Sequence, residues 1–408
     1  MSKFFPALAH TDSIAYFDDS DNRRVMSVRS LLPSSMSPNF LISLSFDEKI
    51  HYETLENIGD RFSTVKISTP QINTVFVDCG AFHYVNEVSP KFKKGGFVTS
   101  KTAFDEYLLR HVNNNPKVKY LLCSPDHIVG PNCDDDTFTK RRHFITSSAK
   151  GFFNRVQDVD NVTPVAVVHG RTKEERYSLA KELIEIGYEY IAFGGLVPLA
   201  RNPVEVLHQI AGVTDLENPI IDPESALGIC LLSGCKTHMF GLNSPEWYRW
   251  WKRMDVTSFD GSKLSQEGAA NGIIWKVNQS VTRPKSAKDL YNRLQIKKIN
   301  SREWNKNSHL STLVTSPDGT LDLTHAGWKY LQTARCTSPN CPAKDMVHNC
   351  DPRVTGSIEH NMGRMIVNAY AFEEIMRQID TLHERANLED CTGDKKWLGN
   401  WKTIEVGK

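Results

Sequence analysis

Short apolar runs that end on a carboxylate, a histidine or a glycine pair recur along this chain with amphipathic segments between them. That alternation narrows the fold more than anything else in the sequence. Its clearest instance is residues 75–84, VFVDCGAFHY. Val75, Phe76 and Val77 read as a buried strand; Asp78 ends it, Gly80 allows a sharp turn, and Phe82 and His83 stand just past the tip. A carboxylate at a strand end beside an aromatic face suits a base-binding catalytic pocket. The plainer reading is a strand-end turn with a capping Asp.

The same grammar returns downstream. Residues 40–46 (FLISLSF) and 120–124 (YLLCS) are apolar runs, the second followed by Pro125, Asp126 and His127. Residues 165–168 precede His169 and Gly170, 190–193 precede Gly194 and Gly195, and 256–259 precede Asp260 and Gly261, with 238–242 (HMFGL) as a further strand. Helices are expected over 102–113, 136–157, 172–186, 203–211 and 224–232, around 53–62, and from Ser244 and Pro245 onward. For 172–186, Thr172 is the N-cap, Glu175 is placed for a capping box and Gly187 is the stop. DDSDNRR reads as a turn between two short strands.

Strands alternating with helices imply parallel pairing through right-handed crossovers. Seven strands are visible and the first 70 residues have room for an eighth. Chemistry-bearing residues at five or more strand ends point to a (β/α)8 barrel. An open doubly wound sheet would gather its ligand at one switch point, usually behind a Gly-rich fingerprint, and no G-x-G-x-x-G follows an early strand. Residues 1–70 then hold N-terminal strands and the start of the barrel, 71–275 its main body, and 276–408 a basic segment, a cysteine-bearing subdomain and a C-terminal helix.

At 408 residues the chain is able to bury a large core. No apolar run is long enough for a bilayer and MSKFFPALAH lacks a signal-peptide shape. Nine irregularly spaced cysteines argue against a secreted disulfide framework. A cytoplasmic protein with no membrane partner is expected. The net charge of +1 hides a basic stretch: residues 276–306 carry nine Lys or Arg against Asp289 and Glu303, with Tyr291 and Trp304 interleaved. This is a candidate surface for a nucleic-acid backbone; a solvated helix face is the other reading. The aromatics of SPEWYRWWKR, 244–253, are expected to face a core.

Taken in order, the strand ends resemble the tRNA-guanine transglycosylase family over residues 75–380. DCGAFHY (78–84), SPDHIVG (124–130), VVHG (167–170), FGGLVP (193–198), MFGL (239–242) and SFDG (258–261) carry the resemblance. It implies that Asp260 is the nucleophile on the sugar and Asp78 the general acid/base, a double displacement of the kind retaining glycosidases use. It implies that Asp126 accepts from the guanine N1 and exocyclic amine, and that His169 and the Gly195 backbone address the O6 side. Phe82 would stack on the ring, with Gly194 and Phe240 in the same pocket. Outside this context Asp126 reads as a helix N-cap and Asp260 as a turn residue.

The family also carries a Cys3His zinc, which the resemblance assigns to Cys336, Cys341, Cys350 and His360, with His348 competing for the fourth position. The spacings of the cysteines are wider than the family's. Other departures are Cys79, His83 and His169 in place of Ser, Gln and Gln, and GSKLSQEGAANG after Asp260 where a basic loop is usual. The pattern resembles the DNA-modifying branch, DNA-guanine transglycosylases of bacterial and phage modification clusters. That implies DNA and a 7-deazaguanine base, such as 7-cyano-7-deazaguanine, as substrates, with helper proteins of the same cluster as partners, in a bacterial or phage-infected cell. A tRNA enzyme of queuosine or archaeosine type, another barrel enzyme such as a glycosidase using Asp78 and Asp260, and a non-catalytic transglycosylase-like subunit stay open as alternatives.

Overall fold

The computed structural model describes residues 2–7, 13–17, 23–27, 32–33, 35–36, 38–45, 72–93, 95–265, 273–277, 296–300, 358–389 and 398–407. In chain order the strands are β1 (Lys3–Pro6), β2 (Ser13–Phe17), β3 (Arg23–Ser27), β4 (Asn39–Ser43), β5 (Thr74–Asp78) and β6 (Lys119–Cys123). Then come β7 (Val162–Val168), β8 (Tyr190–Phe193), β9 (Lys236–Met239), β10 (Ser258–Gly261), β11 (Ile273–Val277) and β12 (Ile296–Asn300).

Eight of these strands pair in parallel, in the order β1, β10, β9, β8, β7, β6, β5, β4. A parallel bridge between Ala7 and Leu41 joins the two ends of that sheet. The result is a (β/α)8 barrel whose strands follow one another around the ring. The eighth strand sought in the first 70 residues is β1. The two strands expected around DDSDNRR are β2 and β3, an antiparallel pair between β1 and β4 in chain order; Arg23 and Arg24, expected in the turn, already belong to β3.

Strand periodicity divides the apolar residues between two cores. Phe5, Leu41, Phe76, Val165, Val167 and Ala192 fill the barrel interior. Val75 and Val77, one residue to either side of Phe76, pack instead against the outer helices. Phe76 is fully buried, and burial of such a side chain contributes about 1.5–3 kcal/mol. Truncation to Ala also leaves a cavity, for a total cost of about 3–5 kcal/mol. The same alternation carries Asp78 above Phe76, His169 above Val167, Gly194 above Ala192, Phe240 above His238 and Asp260 above Ser258. The interior pattern therefore aims the functional side chains into one end of the barrel.

Local signals fix the helices. Asp134 caps Asp135–Val156 by accepting from Thr137 N at 2.9 Å. Thr172 caps Lys173–Ile186, which stops at Gly187 with φ 115°. Only half of the expected capping box forms, because the Glu175 carboxylate reaches one residue further back and binds the Arg171 N–H and guanidinium. Ser225 takes the cap of Ala226–Leu232, so that helix begins later than residue 224. The segment expected as one helix over 102–113 opens as a π-helical turn, Thr102–Leu108, before α-helix Leu109–Asn114. The helix expected around 53–62 lies outside the described residues.

The aromatics of Pro245–Arg253 do face the core: Trp247, Tyr248, Trp250 and Trp251 are buried, with Trp247 stacked on Trp251 at 5.1 Å. The long helix Ile358–Leu388 packs beside them. Its Phe372 meets Phe4 of β1 edge-on at 5.3 Å, and its Asp380 accepts from the Tyr248 hydroxyl at 2.8 Å. In the basic segment, the described parts are not helical: β11 and β12 pair antiparallel, with Lys276 opposite Lys297. Among the described residues no helix is long and apolar enough to cross a membrane.

Candidate active site

One cavity of about 1110 Å³ opens at the C-terminal ends of the barrel strands. It is lined by Asp78, Phe82, Asp126, His169, Gly194, Gly195, Phe240 and Asp260, so the structure brings all the sequence-predicted barrel residues together. They come from the ends of six successive strands, β5 to β10, and the loops after them.

Asp78 is the last residue of β5. Gly80 turns the chain at φ 75°, and its N–H comes back to Asp78 Oδ1 at 2.9 Å. A Cβ at Gly80 would lie 2.8 Å from Ser43 Oγ and 2.9 Å from Ser45 Oγ, so glycine is required twice over. Burial raises the Asp78 carboxyl to about 7, reinforced by the charges of Asp260 and Asp126; hydrogen bonds from Ser43 and Gly80 oppose the rise without cancelling it. A carboxyl poised near neutrality both gives and takes a proton.

Asp126 follows β6 and is nearly wholly buried. It caps no helix; that role falls to Asp134. Its Oδ2 meets His169 Nε2 at 2.5 Å, and its Oδ1 accepts from the Cys79 thiol. The Tyr84 hydroxyl lies 3.0 Å from both Cys79 Sγ and the Asp126 carbonyl. Burial first, then the charges of Asp126 and Asp78, push the Cys79 thiol well up, which keeps it a proton-bearing donor. Two donors thus hold the Asp126 carboxylate in one orientation while lone pairs remain for a ligand.

His169 lies against the glycine pair. A Cβ on Gly194 would stand 2.4 Å from His169 Cε1, so any other residue there would displace the ring. Beneath the pair, the fully buried Arg176 donates from Nη1 to the Gly194 carbonyl at 3.0 Å. In a trans peptide the next N–H points the opposite way, so the Gly195 N–H is turned from the guanidinium. Phe82 is 73% exposed at the cavity rim, free to lie over a planar ligand, and Phe240 faces the interior.

Asp260 lies within β10 and is 7% exposed. Its Oδ1 accepts from Gly241 N at 2.9 Å and from His238 Nε2 at 3.3 Å. His238 had no role in the sequence reading. The available signal was a histidine in inward register, two residues before Phe240, in an otherwise apolar strand end. Arg176 and Cys79 were missed in the same way, since their roles depend on what the fold packs against them.

Of the predicted metal ligands, Cys336, Cys341 and Cys350 lie outside the described residues, as does the competing His348. His360 belongs to the first turn of helix Ile358–Leu388. Among the described residues no cluster of three or more His, Cys, Asp or Glu has metal-site geometry.

The chain is similar to a DNA-guanine transglycosylase of Salmonella montevideo, with 24% identity over 200 residues. The match takes in 47% of this chain and 41% of that protein, so less than half of the relative's length is spanned. No family model matches the chain.

Proposed function

We propose that this barrel exchanges guanine in DNA for a 7-deazaguanine base, through a covalent intermediate on Asp260. The observation that carries the reading is the meeting of three carboxylates, Asp78, Asp126 and Asp260, at one cavity, with Asp78 raised to about 7. The similarity to a DNA-guanine transglycosylase supports the choice of reaction and of DNA.

In the first displacement an Asp260 oxygen bonds to C1′ as the bond from C1′ to guanine N9 breaks. The electron pair of that bond passes to the base, which takes the Asp78 proton. In the second, Asp78 removes the N–H proton of the incoming base and the freed nitrogen attacks C1′. The C1′–O bond breaks and its pair returns to Asp260. Asp126 would read the N1 and exocyclic amine donors, His169 and the Gly195 N–H would serve the O6 side, and Phe82 would close over the ring. A stacked guanine must leave the duplex to reach this cavity, at a cost of a few kcal/mol. Lys276, Lys297 and Lys298 on β11 and β12 belong to the basic stretch proposed to hold the phosphates.

Zinc at Cys336, Cys341, Cys350 and His360 remains part of the proposal. Three thiolates and an imidazole form a closed structural donor set, and His360 opens the helix that packs on the barrel. The group would brace that helix and take no part in the exchange.

Purified protein incubated with labelled guanine and either duplex DNA or tRNA tests the reading. Label entering DNA, with a protein–DNA adduct on denaturing gels, is expected. Label entering tRNA alone would replace DNA as the substrate, and no label in either would remove the enzymatic reading.

A further inference from the structure

We propose that His238 is the positioning residue for the reacting carboxylate, acting as a neutral imidazole whose single ring proton sits on Nε2. This rests on the reading of Asp260 as nucleophile. His238 is wholly buried, stacked on Phe76 with centroids 4.2 Å apart and edge-on to Phe240 at 4.7 Å. Its Nε2 lies 3.3 Å from Asp260 Oδ1 and its Nδ1 lies 2.6 Å from Ser258 Oγ. Ser258 Oγ in turn lies 2.6 Å from the Tyr190 hydroxyl.

Proton accounting fixes the direction of this chain. An ionised carboxylate only accepts, so the ring nitrogen facing Asp260 must carry the proton. In a neutral ring Nδ1 is then an acceptor, and Ser258 must donate to it. The Ser258 oxygen is left to accept the Tyr190 proton. Every donor points one way, from Tyr190 through Ser258 and His238 to Asp260. Burial favours the neutral ring, since desolvation lowers the His238 pKa more than the Asp260 carboxylate raises it.

The arrangement bears on the reaction through Asp260 Oδ1, which takes both bonds, one from His238 and one from Gly241. Oδ2 carries neither and is the oxygen left for C1′. In the ester intermediate Oδ1 becomes the carbonyl oxygen. When the second displacement returns the electron pair, charge reappears on the carboxylate where two fixed donors already point. A neutral donor holds the group without neutralising the nucleophile, as a cation would. The residues proposed to read the base, Asp126, His169 and the Gly195 N–H, are not among the partners of His238, so base affinity should not depend on it.

The test uses the full chain, duplex DNA and labelled guanine. His238→Phe keeps a ring against Phe76 and removes both nitrogens. It should lower kcat on the order of 10- to 100-fold, the worth of one hydrogen bond to a charged group, with KM for guanine unchanged. His238→Gln, with an amide that both donates and accepts, should recover most of that loss. Ser258→Ala should lower kcat a few-fold in the wild-type background and do nothing further in His238→Phe, because the two act through one chain. Independently of turnover, nitrogen NMR of the wild-type imidazole should report the Nε2–H tautomer. An Nδ1–H tautomer or an imidazolium at neutral pH would overturn the proposal, as would a His238→Phe variant that keeps kcat or changes only KM. Failure of the wild type to exchange guanine into any nucleic acid counts against the functional reading instead, and the tautomer then decides the hydrogen-bond chain on its own.

Discussion

The Arg176 guanidinium donates to the Gly194 carbonyl from a position with no solvent contact, directly under the glycine pair that meets His169. Burial lowers its pKa to about 10, well short of discharging it at neutral pH. A buried charge spent on a backbone carbonyl is expensive unless that carbonyl must be held.

Replacing Arg176 by Met should therefore free the Gly194–Gly195 peptide. Guanine affinity is expected to fall about tenfold, and stability to drop by about 1–3 kcal/mol for the unpaired carbonyl. Lys should not restore binding, since a point charge does not reproduce the planar fork. Calorimetric titration with guanine and thermal melts measure the two effects; unaltered affinity in Arg176→Met would remove Arg176 from base binding.

Asp78 should weaken the fold at neutral pH. Its carboxyl is raised from 3.8 to about 7. The unfolded chain thus ionises first, and stability is lost as pH climbs from about 4 to about 7. Asp78→Asn removes that penalty, which is on the order of a few kcal/mol. Its melting temperature should match wild type near pH 4 and exceed it above about pH 7. A constant difference across that range would show that Asp78 does not titrate as the site geometry requires.

The two carboxylates should separate in an adduct assay. Asp260→Asn is expected to form no adduct and exchange no guanine. In Asp78→Asn the nucleophile survives, so adduct should form slowly and then persist, because nothing deprotonates the incoming base. In wild-type protein, single-turnover adduct formation should fall as pH rises through about 7, where Asp78 loses the proton it donates. Base-dependent resolution should rise over the same interval. Exchange retained by Asp260→Asn would end the covalent mechanism.

Zinc content gives a further check. Protein purified without chelator is expected to hold one zinc per chain, and Cys341→Ser to lower both zinc content and melting temperature. Guanine exchange near the temperature optimum should suffer only as far as the fold does. Metal-free protein with an unchanged melt would exclude a structural zinc.

Much of the barrel was legible because its strands carry their own punctuation. VFVDCG announces a strand, a carboxylate and a turn within six residues, and β5 ends on Asp78 as expected. Thr172 and Gly187 likewise bound their helix correctly. The first strand was harder: KFFP is only four residues long and ends on a proline, and it becomes a strand because β10 and the Ala7–Leu41 bridge receive it. In the site, residues at strand ends were readable and those acting from beneath were not. His238 looks like any core histidine until Asp260 is seen beside it, and Arg176 like a helix-surface charge until Gly194 is.

The β1–β10 seam has a consequence for how the chain is made. Phe5 of β1 stands opposite Asp260 of β10, so β1 leaves the ribosome long before the strand that covers one of its edges. Until residue 261 has emerged, β1 has no β10 to join. Asp260 takes its side-chain bonds from His238 and Gly241 on the β9 side, and β1 adds the backbone partner opposite it. A chain that stops short of residue 261 leaves β1 without that neighbour and the barrel open along the β1–β10 seam.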